Sequence, residues 1–278
     1  MGFVSMELED DPSNEYSCDS EKTEDGDAYP STVSTFSEST VFKYSLAGSD
    51  DRASILKGIA NTLTEEALSR FAHSVALYTG CPHHLRQISS SKSLINDGTR
   101  LWKSISRRTS SLKWDDFASL TEKHFAKLAR SGSRVLKKHD LETLKAIAGC
   151  GEEMREENFE RLWRWLYPVA MTLSIEVINK AWRCESPLWF EGFMTTEDAE
   201  DLLEGEAAGA FALRFAASRS WPHPDAGSIV VSYTGRDCAV HHRLLSLDFI
   251  ASFSGSKSLG EILKEDPALS RLGRKNSS

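Results

Sequence analysis

Hydrophobic positions divide this chain into a long stretch with helical spacing and a later stretch of short apolar runs. Between residues 51 and 182 they recur every three or four residues, in six successive faces, which predicts an all-helical unit. The six faces contain Leu68, Phe71, Val75 and Tyr78; Leu94, Leu101, Trp102 and Ile105; Phe117, Leu120 and Leu128; Leu141, Leu144 and Ile147; Phe159, Leu162, Trp163 and Leu166; and Val169, Leu173 and Val177.

Polar, glycine and proline residues suggest where these helices begin and end. Thr62 and Glu65 have the spacing of a capping box ahead of the first face. Gly80 and Gly149 stand where the first and fourth faces stop, as expected of helix C-termini. Pro168 falls between the fifth and sixth faces and therefore predicts a break between two helices.

After residue 187 the pattern changes to short runs rich in β-branched, aromatic and apolar residues. The runs GAFALRFAA, GSIVVSY and CAVHHRLL are separated by clusters of Gly, Pro and Asp, which predicts three strands. Thr195 and Asp198 mark a capped helix before them, and a second short helix is expected at residues 258–264. The order predicts an α+β unit, with a small antiparallel sheet between two helices.

Composition separates a third region at the N-terminus. Residues 1–50 contain 12 acidic and 2 basic side chains, a net charge of −10, whereas the whole chain carries −8. Residues 7–40 are also poor in branched aliphatic side chains, so they cannot bury enough apolar surface to offset their conformational entropy. We therefore predict a disordered acidic tail at 1–45, a helical region at 46–185 and the α+β domain at 186–275.

Several classes of protein are disfavoured by the same residues. We expect no membrane insertion because no stretch approaches about 18 uninterrupted apolar residues, and no secretion because a basic, then apolar, leader pattern is missing. The five widely spread cysteines suit a reducing compartment. Residues 51–278 are nearly neutral, which argues against direct nucleic-acid binding.

Motifs of catalysis and metal binding are not found. The sequence has no P-loop, GxSxG or HExxH, so we expect a protein that is not an enzyme. Cys81-Pro82-His83-His84 lacks a second ligand pair at zinc spacing, and the helix–loop–helix rhythm of residues 115–166 lacks the ligand string of a calcium loop. We therefore expect no metal and no cofactor.

One charged residue stands inside an apolar strand, and it is the main candidate for a binding group. Arg214 shares a strand face with Ala212 and Ala216, which leaves room around its guanidinium. His241 and Arg243 share a face of the third predicted strand, and could converge on Arg214 if the strands pair. The alternative is an arginine on an edge strand that faces solvent.

These residues resemble a known family. Residues 188–264 are similar to an SH2 domain: Leu188–Phe193 resembles its W-x-x-G-F/I start, and Gly209–Arg214 its G-x-F-L-x-R strand. The helical region, with Phe159–Leu166, resembles the linker that precedes the SH2 domain in STAT proteins. The long stretch Ser218–Gly227 resembles the corresponding loop of plant STAT-type linker-SH2 proteins.

The resemblance implies a signalling protein, located in cytoplasm and nucleus, whose partners are tyrosine-phosphorylated proteins or peptides. Arg214 would hold the phosphate through two parallel hydrogen bonds, and His242 would contact the peptide after the phosphotyrosine. The implied phosphotyrosine site consists of Arg214, Ser218 as the phosphate-loop hydroxyl, Arg219, His241 as a nearby hydrogen-bonding group, and Arg243 along the phosphotyrosine ring.

Three positions depart from the SH2 pattern. Thr196 replaces a basic residue that is frequent on the first helix, and Ala216 and Ala217 replace the usual serine and acidic residues after the arginine. Two alternatives therefore stay open: a scaffold with a degenerate pocket, and a STAT-like transcription-factor subunit, with homo- or hetero-dimerisation undecided. No tyrosine follows Tyr233, so the tail-mediated dimerisation of STAT proteins is not expected in its usual form.

Overall fold

The computed structural model describes residues 36–107, 109–130, 134–185, 189–247, 250 and 257–265. Helices dominate before residue 184, and a three-stranded sheet follows residue 210. The helices are α1 (Glu38–Leu46), α2 (Ser49–Ala60), α3 (Glu65–Thr79), α4 (His83–Ser89), α5 (Ser91–Ser106), α6 (Trp114–Leu128), α7 (Lys138–Ala148), α8 (Glu156–Leu173), α9 (Glu176–Arg183), α10 (Thr196–Leu203) and α11 (Leu259–Glu265). The strands are β1 (Ser111–Lys113), β2 (Glu153–Arg155), β3 (Phe211–Phe215), β4 (Ile229–Thr234) and β5 (Val240–Leu244).

Helix α1 lies within the segment predicted as a disordered tail. It buries Val41 and Tyr44, and the Tyr44 ring packs edge-on against Phe71 of α3 at 5.7 Å. These aromatic contacts stabilise a helix whose own amphipathic pattern is weak, so the tail prediction was wrong for residues 38–45. Residues 1–35 of that prediction lie outside the described residues.

The ends of α3 show how local chemistry sets helix boundaries. Thr64, and not Thr62, caps its N-terminus: the Thr64 hydroxyl accepts a hydrogen bond from the Ala67 amide at 3.1 Å. The Thr62 hydroxyl instead donates to the Ile59 carbonyl at 3.0 Å, at the end of α2. The predicted capping box was therefore wrong, whereas Gly80 (φ 65°) and Gly149 (φ 64°) end α3 and α7 as predicted.

Two short strands, unpredicted from the sequence, tie the middle of the helical region together. β1 and β2 pair antiparallel, with Leu112 opposite Met154, and each strand runs directly into a helix, α6 and α8 respectively. Each strand has three residues, too few for a period-two pattern to be recognised.

Helix α8 continues through Pro168, where the sequence predicted a break. Proline has no amide hydrogen, so its position leaves the carbonyl of Arg164 without the usual intrahelical donor. That carbonyl accepts a hydrogen bond from the Trp221 amide at 2.8 Å instead. A donor from a distant segment therefore replaces the missing hydrogen bond, and the fifth and sixth apolar faces belong largely to one helix.

The second half of the chain contains the predicted order of helix, three antiparallel strands and helix. Helix α10 begins with a capping box in which Thr195 and Asp198 exchange hydrogen bonds at 2.7 and 3.1 Å. The sheet order is β3-β4-β5, with Ala212 opposite Ser232 and Ser232 opposite His242. The molecule is thus mixed, with a large helical region and small antiparallel sheets.

An aromatic cluster joins the helices to the sheet. Trp182 of α9 stacks on Phe193 at 5.6 Å, and Trp165 of α8 packs edge-on against the same ring at 5.1 Å. Phe190 stacks on Phe215 of β3 at 5.6 Å. All five side chains are buried in one apolar core that extends on both sides of the predicted boundary at residue 186. The described residues form one compact unit across that boundary.

Within the described part of the chain, none of the helices combines the length and apolarity needed to cross a lipid bilayer.

Candidate functional site

A buried guanidinium lies on β3, an outer strand of the three-stranded sheet. Arg214 lies on β3 and only 5% of it is exposed, although an arginine is rarely buried without compensating partners. Residues paired directly across an antiparallel sheet point to the same face. Arg214 therefore shares its face with Ala212 on β3 and with Val230 and Ser232 on β4. The alternative of an edge-strand arginine that faces solvent is wrong in its second part: β3 is an outer strand, but Arg214 is buried.

Two hydroxyl groups hold this guanidinium. Its Nε donates to Ser232 Oγ at 3.0 Å, and its Nη2 donates to Thr196 Oγ1 at 3.1 Å. Thr196 is the first residue of α10, so the helix start and the neighbouring strand fix the arginine from two sides. Among the described residues both of its side-chain acceptors are neutral hydroxyls, and the two Nη1 hydrogens and one Nη2 hydrogen remain for another acceptor.

A polar chain continues from Ser232 across the sheet. The Ser232 hydroxyl lies 2.9 Å from His242 Nδ1, and His242 Nε2 lies 3.1 Å from Glu200 Oε1 on α10. Ser232 is fully buried, and its hydroxyl contacts both Arg214 and His242. This one hydroxyl therefore links the arginine to the histidine. If the hydroxyl accepts from Arg214, it can donate to His242 Nδ1, and the Nε2 hydrogen then points at Glu200.

The electrostatics of the site are dominated by burial of a cation. Burial lowers the pKa of Arg214, while the nearby carboxylates of Glu197 and Glu200 act in the opposite direction. An arginine remains charged at neutral pH even so. The site therefore offers a fixed planar cation and two hydroxyls, a combination suited to an anion with several oxygen atoms.

The predicted convergence of His241 and Arg243 on Arg214 is wrong. The register places Tyr233 opposite His241 and Val231 opposite Arg243, and both pairs belong to the other face of the sheet. His241 stacks on Tyr233 at 5.5 Å and lies 3.0 Å from both carboxylate oxygens of Asp237. A shift of one residue in the pairing register exchanges the two faces of a strand. The strand sequences alone did not determine this register, so they could not show which residues of β5 share a face with Arg214.

His242, and not His241 or Arg243, lies on the same face of the sheet as Arg214. It was predicted on the opposite face, towards the peptide, but it pairs with Ser232 and lies on the face of Arg214. Ser232, Thr196 and Glu200 complete the site, and sequence reasoning did not assign a role to Ser232 or Glu200. A polar residue within the apolar run IVVSY was the available signal for Ser232.

Ser218 and Arg219 lie in the loop that follows β3. Ser218 is exposed. Arg219 Nη1 donates to Asp225 Oδ2 at 2.9 Å and lies 3.0 Å from His223 Nε2, so its described contacts are within the loop. The structure thus gathers Arg214 and His242, whereas the described contacts of Arg219 and His241 lie elsewhere, and the register places Arg243 on the other face of the sheet.

The described ranges contain no group of three or more His, Cys, Asp or Glu side chains able to hold a metal ion.

Comparison with known proteins gives two extensive sequence matches. The chain is 46% identical over 244 residues to the SH2 domain-containing protein B of Arabidopsis thaliana, covering 86% of this chain and 36% of that protein. It is 44% identical over 262 residues to the SH2 domain-containing protein A of the same plant, covering 93% of this chain and 41% of that protein. The predicted resemblance to these plant proteins is confirmed, and the chain spans about two fifths of their length or less.

Other comparisons add little. No family model matches the chain. A solved structure, the inactive choanoflagellate E3 ubiquitin ligase Cbl TKB, covers 75% of this chain and 56% of its own with 14% identity and a TM-score of 0.29, which is too low to carry an argument.

Proposed function

We propose that this chain, as a relative of the plant SH2 domain-containing proteins A and B, is a non-enzymatic signalling protein that binds phosphotyrosine peptides at Arg214. The single observation that carries the proposal is the buried guanidinium, 5% exposed and held by the neutral hydroxyls of Ser232 and Thr196. Such a cation is positioned before any ligand arrives and still has hydrogens to donate. Tyrosine-phosphorylated proteins are the partners that this chemistry fits.

The physical argument rests on matching donors to a phosphate dianion. A phosphate needs several charge-assisted hydrogen bonds to offset its desolvation, each contributing about 1.5–3 kcal/mol. Arg214 supplies a planar fork for two phosphate oxygens. Ser232, through its link to His242, orients that fork, and Thr196 fixes its other edge. The helical region before the sheet acts in this proposal as a STAT-like linker.

A degenerate pocket is the second candidate, and a specific observation favours it. Glu197 and Glu200 lie close enough to Arg214 to influence its pKa, and an arriving phosphate would meet their negative charge. Thr196, Ala216 and Ala217 also replace residues that commonly support phosphate in SH2 domains. These features favour a weaker site than usual, and titration of the wild-type protein separates the two candidates.

The first prediction concerns Arg214. Its replacement by alanine removes the fork, so binding of a phosphotyrosine peptide is expected to weaken by roughly 2–5 kcal/mol, about 30-fold to several thousand-fold. Arg214→Lys is expected to fail largely as well, because an ammonium cannot make two parallel hydrogen bonds. Isothermal titration calorimetry measures the affinity, and circular dichroism checks the fold.

Matched variants make this test specific. Arg236→Ala removes an exposed arginine from the turn between β4 and β5 and should leave the affinity unchanged. His242→Ala should weaken binding of free phosphotyrosine more than His241→Ala, because only His242 contacts Ser232. Wild-type affinity in Arg214→Ala would exclude this pocket. Failure of the wild type to bind a broad phosphotyrosine-peptide array would favour the degenerate scaffold.

A further inference from the structure

The loop between β3 and β4, residues 216–228, leaves the sheet two positions after Arg214. Its base is closed by a hydrogen bond from the Ala216 amide to the Ser228 carbonyl at 3.3 Å. The body of the loop is attached to the helical region, since Trp221 is fully buried there although it lies in a connecting segment. The attachment involves two helices, α8 and α4.

Helix α8 contacts the loop through Arg164, one turn before Pro168. The Arg164 carbonyl, which Pro168 leaves without an intrahelical donor, accepts from the Trp221 amide at 2.8 Å. Arg164 Nε donates back to the Trp221 carbonyl at 2.8 Å. We call Arg164, Pro168 and Trp221 the loop clamp. Because Pro168 has no amide hydrogen, no donor from within α8 competes with the Trp221 amide for the Arg164 carbonyl.

The same helix touches the loop at its start and its end. Trp165 Nε1 donates to the Ala216 carbonyl at 3.1 Å, immediately beyond β3. Gly227, near the end of the loop, has a φ of 76° and lies so close to α8 that a Cβ atom there would be 2.5 Å from the Pro168 carbonyl oxygen. Residues 164, 165 and 168 thus hold the loop along its whole length.

Helix α4 holds the opposite side of the loop. Trp221 Nε1 donates to the Gln87 carbonyl at 3.0 Å, and Gln87 Nε2 donates to the Ala226 carbonyl at 3.0 Å. His83 Nδ1 lies 3.0 Å from Asp225 Oδ1, and the other oxygen of that carboxylate accepts from Arg219. The loop is therefore connected to the helices at its tip as well.

We propose that the loop clamp positions the β3–β4 loop for ligand binding at Arg214, so that the helical region is a required part of the binding site. This inference rests on the proposed function, because it assumes that an anion binds at Arg214. A loop that is ordered only when ligand binds costs affinity, whereas a loop already held by α8 and α4 does not. Arg164, Pro168 and Trp221 are positioning residues in this scheme.

The second prediction tests the clamp with two variants in the full chain. Arg164→Ala removes the hydrogen bond that the Arg164 guanidinium donates to the Trp221 carbonyl. Pro168→Ala supplies an amide hydrogen that competes with the Trp221 amide for the Arg164 carbonyl. Both should raise the Kd for phenyl phosphate about 2- to 12-fold, the range expected when one additional side chain must be ordered on binding. Both should also accelerate amide hydrogen exchange in residues 216–228.

Two controls separate the clamp from general effects. Arg164 Nη1 also lies 3.1 Å from Asp50 Oδ1, which is 93% exposed, so Asp50→Ala removes this ion pair and leaves the loop contacts. Arg161→Ala removes an exposed arginine from the same helix, next to Gly149 and not the loop. Neither control should change the Kd or the exchange of the loop.

The possible results are distinct. Faster loop exchange together with a higher Kd in both clamp variants supports the inference. Wild-type affinity in a folded clamp variant, with or without faster exchange, overturns the inference and leaves the proposed function intact. A wild-type protein that binds neither phenyl phosphate nor a phosphotyrosine peptide overturns the proposed function, and the positioning role falls with it.

Discussion

Asp140 shows how a single buried carboxylate joins two parts of the chain. It is 1% exposed, and its Oδ1 accepts from the Phe193 amide at 2.6 Å while its Oδ2 accepts from the Lys137 amide at 2.8 Å. One oxygen thus caps the start of α7, and the other fixes the segment that leads into the sheet domain. Nearby, the Thr143 hydroxyl donates to the Phe193 carbonyl at 3.3 Å. Both polar groups of Phe193 are therefore satisfied by α7.

The third prediction follows from this arrangement. Asp140→Ala leaves two backbone amides without acceptors, and it should lower the free energy of unfolding by about 2–5 kcal/mol. Urea denaturation measures the change. Glu142→Ala is the matched control on the same helix, because Glu142 is 62% exposed and its ion pair in the described residues is with Lys138, at 3.6 Å. An Asp140→Ala variant as stable as this control would contradict the assigned role.

At the scale of elements, α8 packs against four other helices, α5, α6, α7 and α9. Its Trp163 lies against Gly98 of α5 and donates from Nε1 to the Leu94 carbonyl at 2.9 Å. The same indole is 5.9 Å from the ring of His124 on α6, so α5 and α6 meet α8 around one side chain. Gly98 permits this approach because a Cβ atom there would be 2.6 Å from the Trp163 ring.

The fourth prediction compares two helical glycines. Gly58→Ala in α2 should stabilise the protein by up to about 1 kcal/mol, because alanine favours helices and nothing lies within 4 Å of the added methyl group. Gly98→Ala should instead destabilise it by about 1–3 kcal/mol, since the indole of Trp163 must move. Thermal and urea unfolding measure both variants. Equal effects of the two substitutions would show that α5 does not require this close approach.

At the scale of the whole molecule, the helical region and the sheet share one core. Arg134 reinforces the junction: its guanidinium lies 3.6 Å from the centre of the Trp182 ring, and its Nη2 donates to the Phe190 carbonyl at 3.0 Å. Together with the aromatic cluster, this contact joins residues on both sides of position 186. A sheet domain that depends on its neighbour for core packing is expected to be unstable alone.

The fifth prediction is that truncation at residue 186 destabilises the sheet domain. A fragment of residues 186–278 loses the packing of Trp165 and Trp182 against Phe193 and exposes Phe190 and Phe215. It should melt at a lower temperature than the full chain, or aggregate. Differential scanning calorimetry, with near-ultraviolet circular dichroism, makes the comparison. A fragment that melts at the temperature of the full chain would rule out the shared core as a source of stability.

Local sequence patterns determined much of the architecture by themselves. Helical spacing located the main faces, Gly80 and Gly149 marked two helix ends, and the apolar run around Arg214 made that arginine the main candidate for a binding group. These features depend on contacts within a few residues, where spacing and backbone preference act directly.

Tertiary structure decided the features that depend on partners distant in sequence. Sheet register placed His242, and not His241 or Arg243, on the face of Arg214, because a slip of one residue exchanges the faces of a strand. The Trp221 amide allowed α8 to continue through Pro168, because it supplied the donor that proline lacks. Both outcomes rest on hydrogen bonds between segments that only the folded chain brings together.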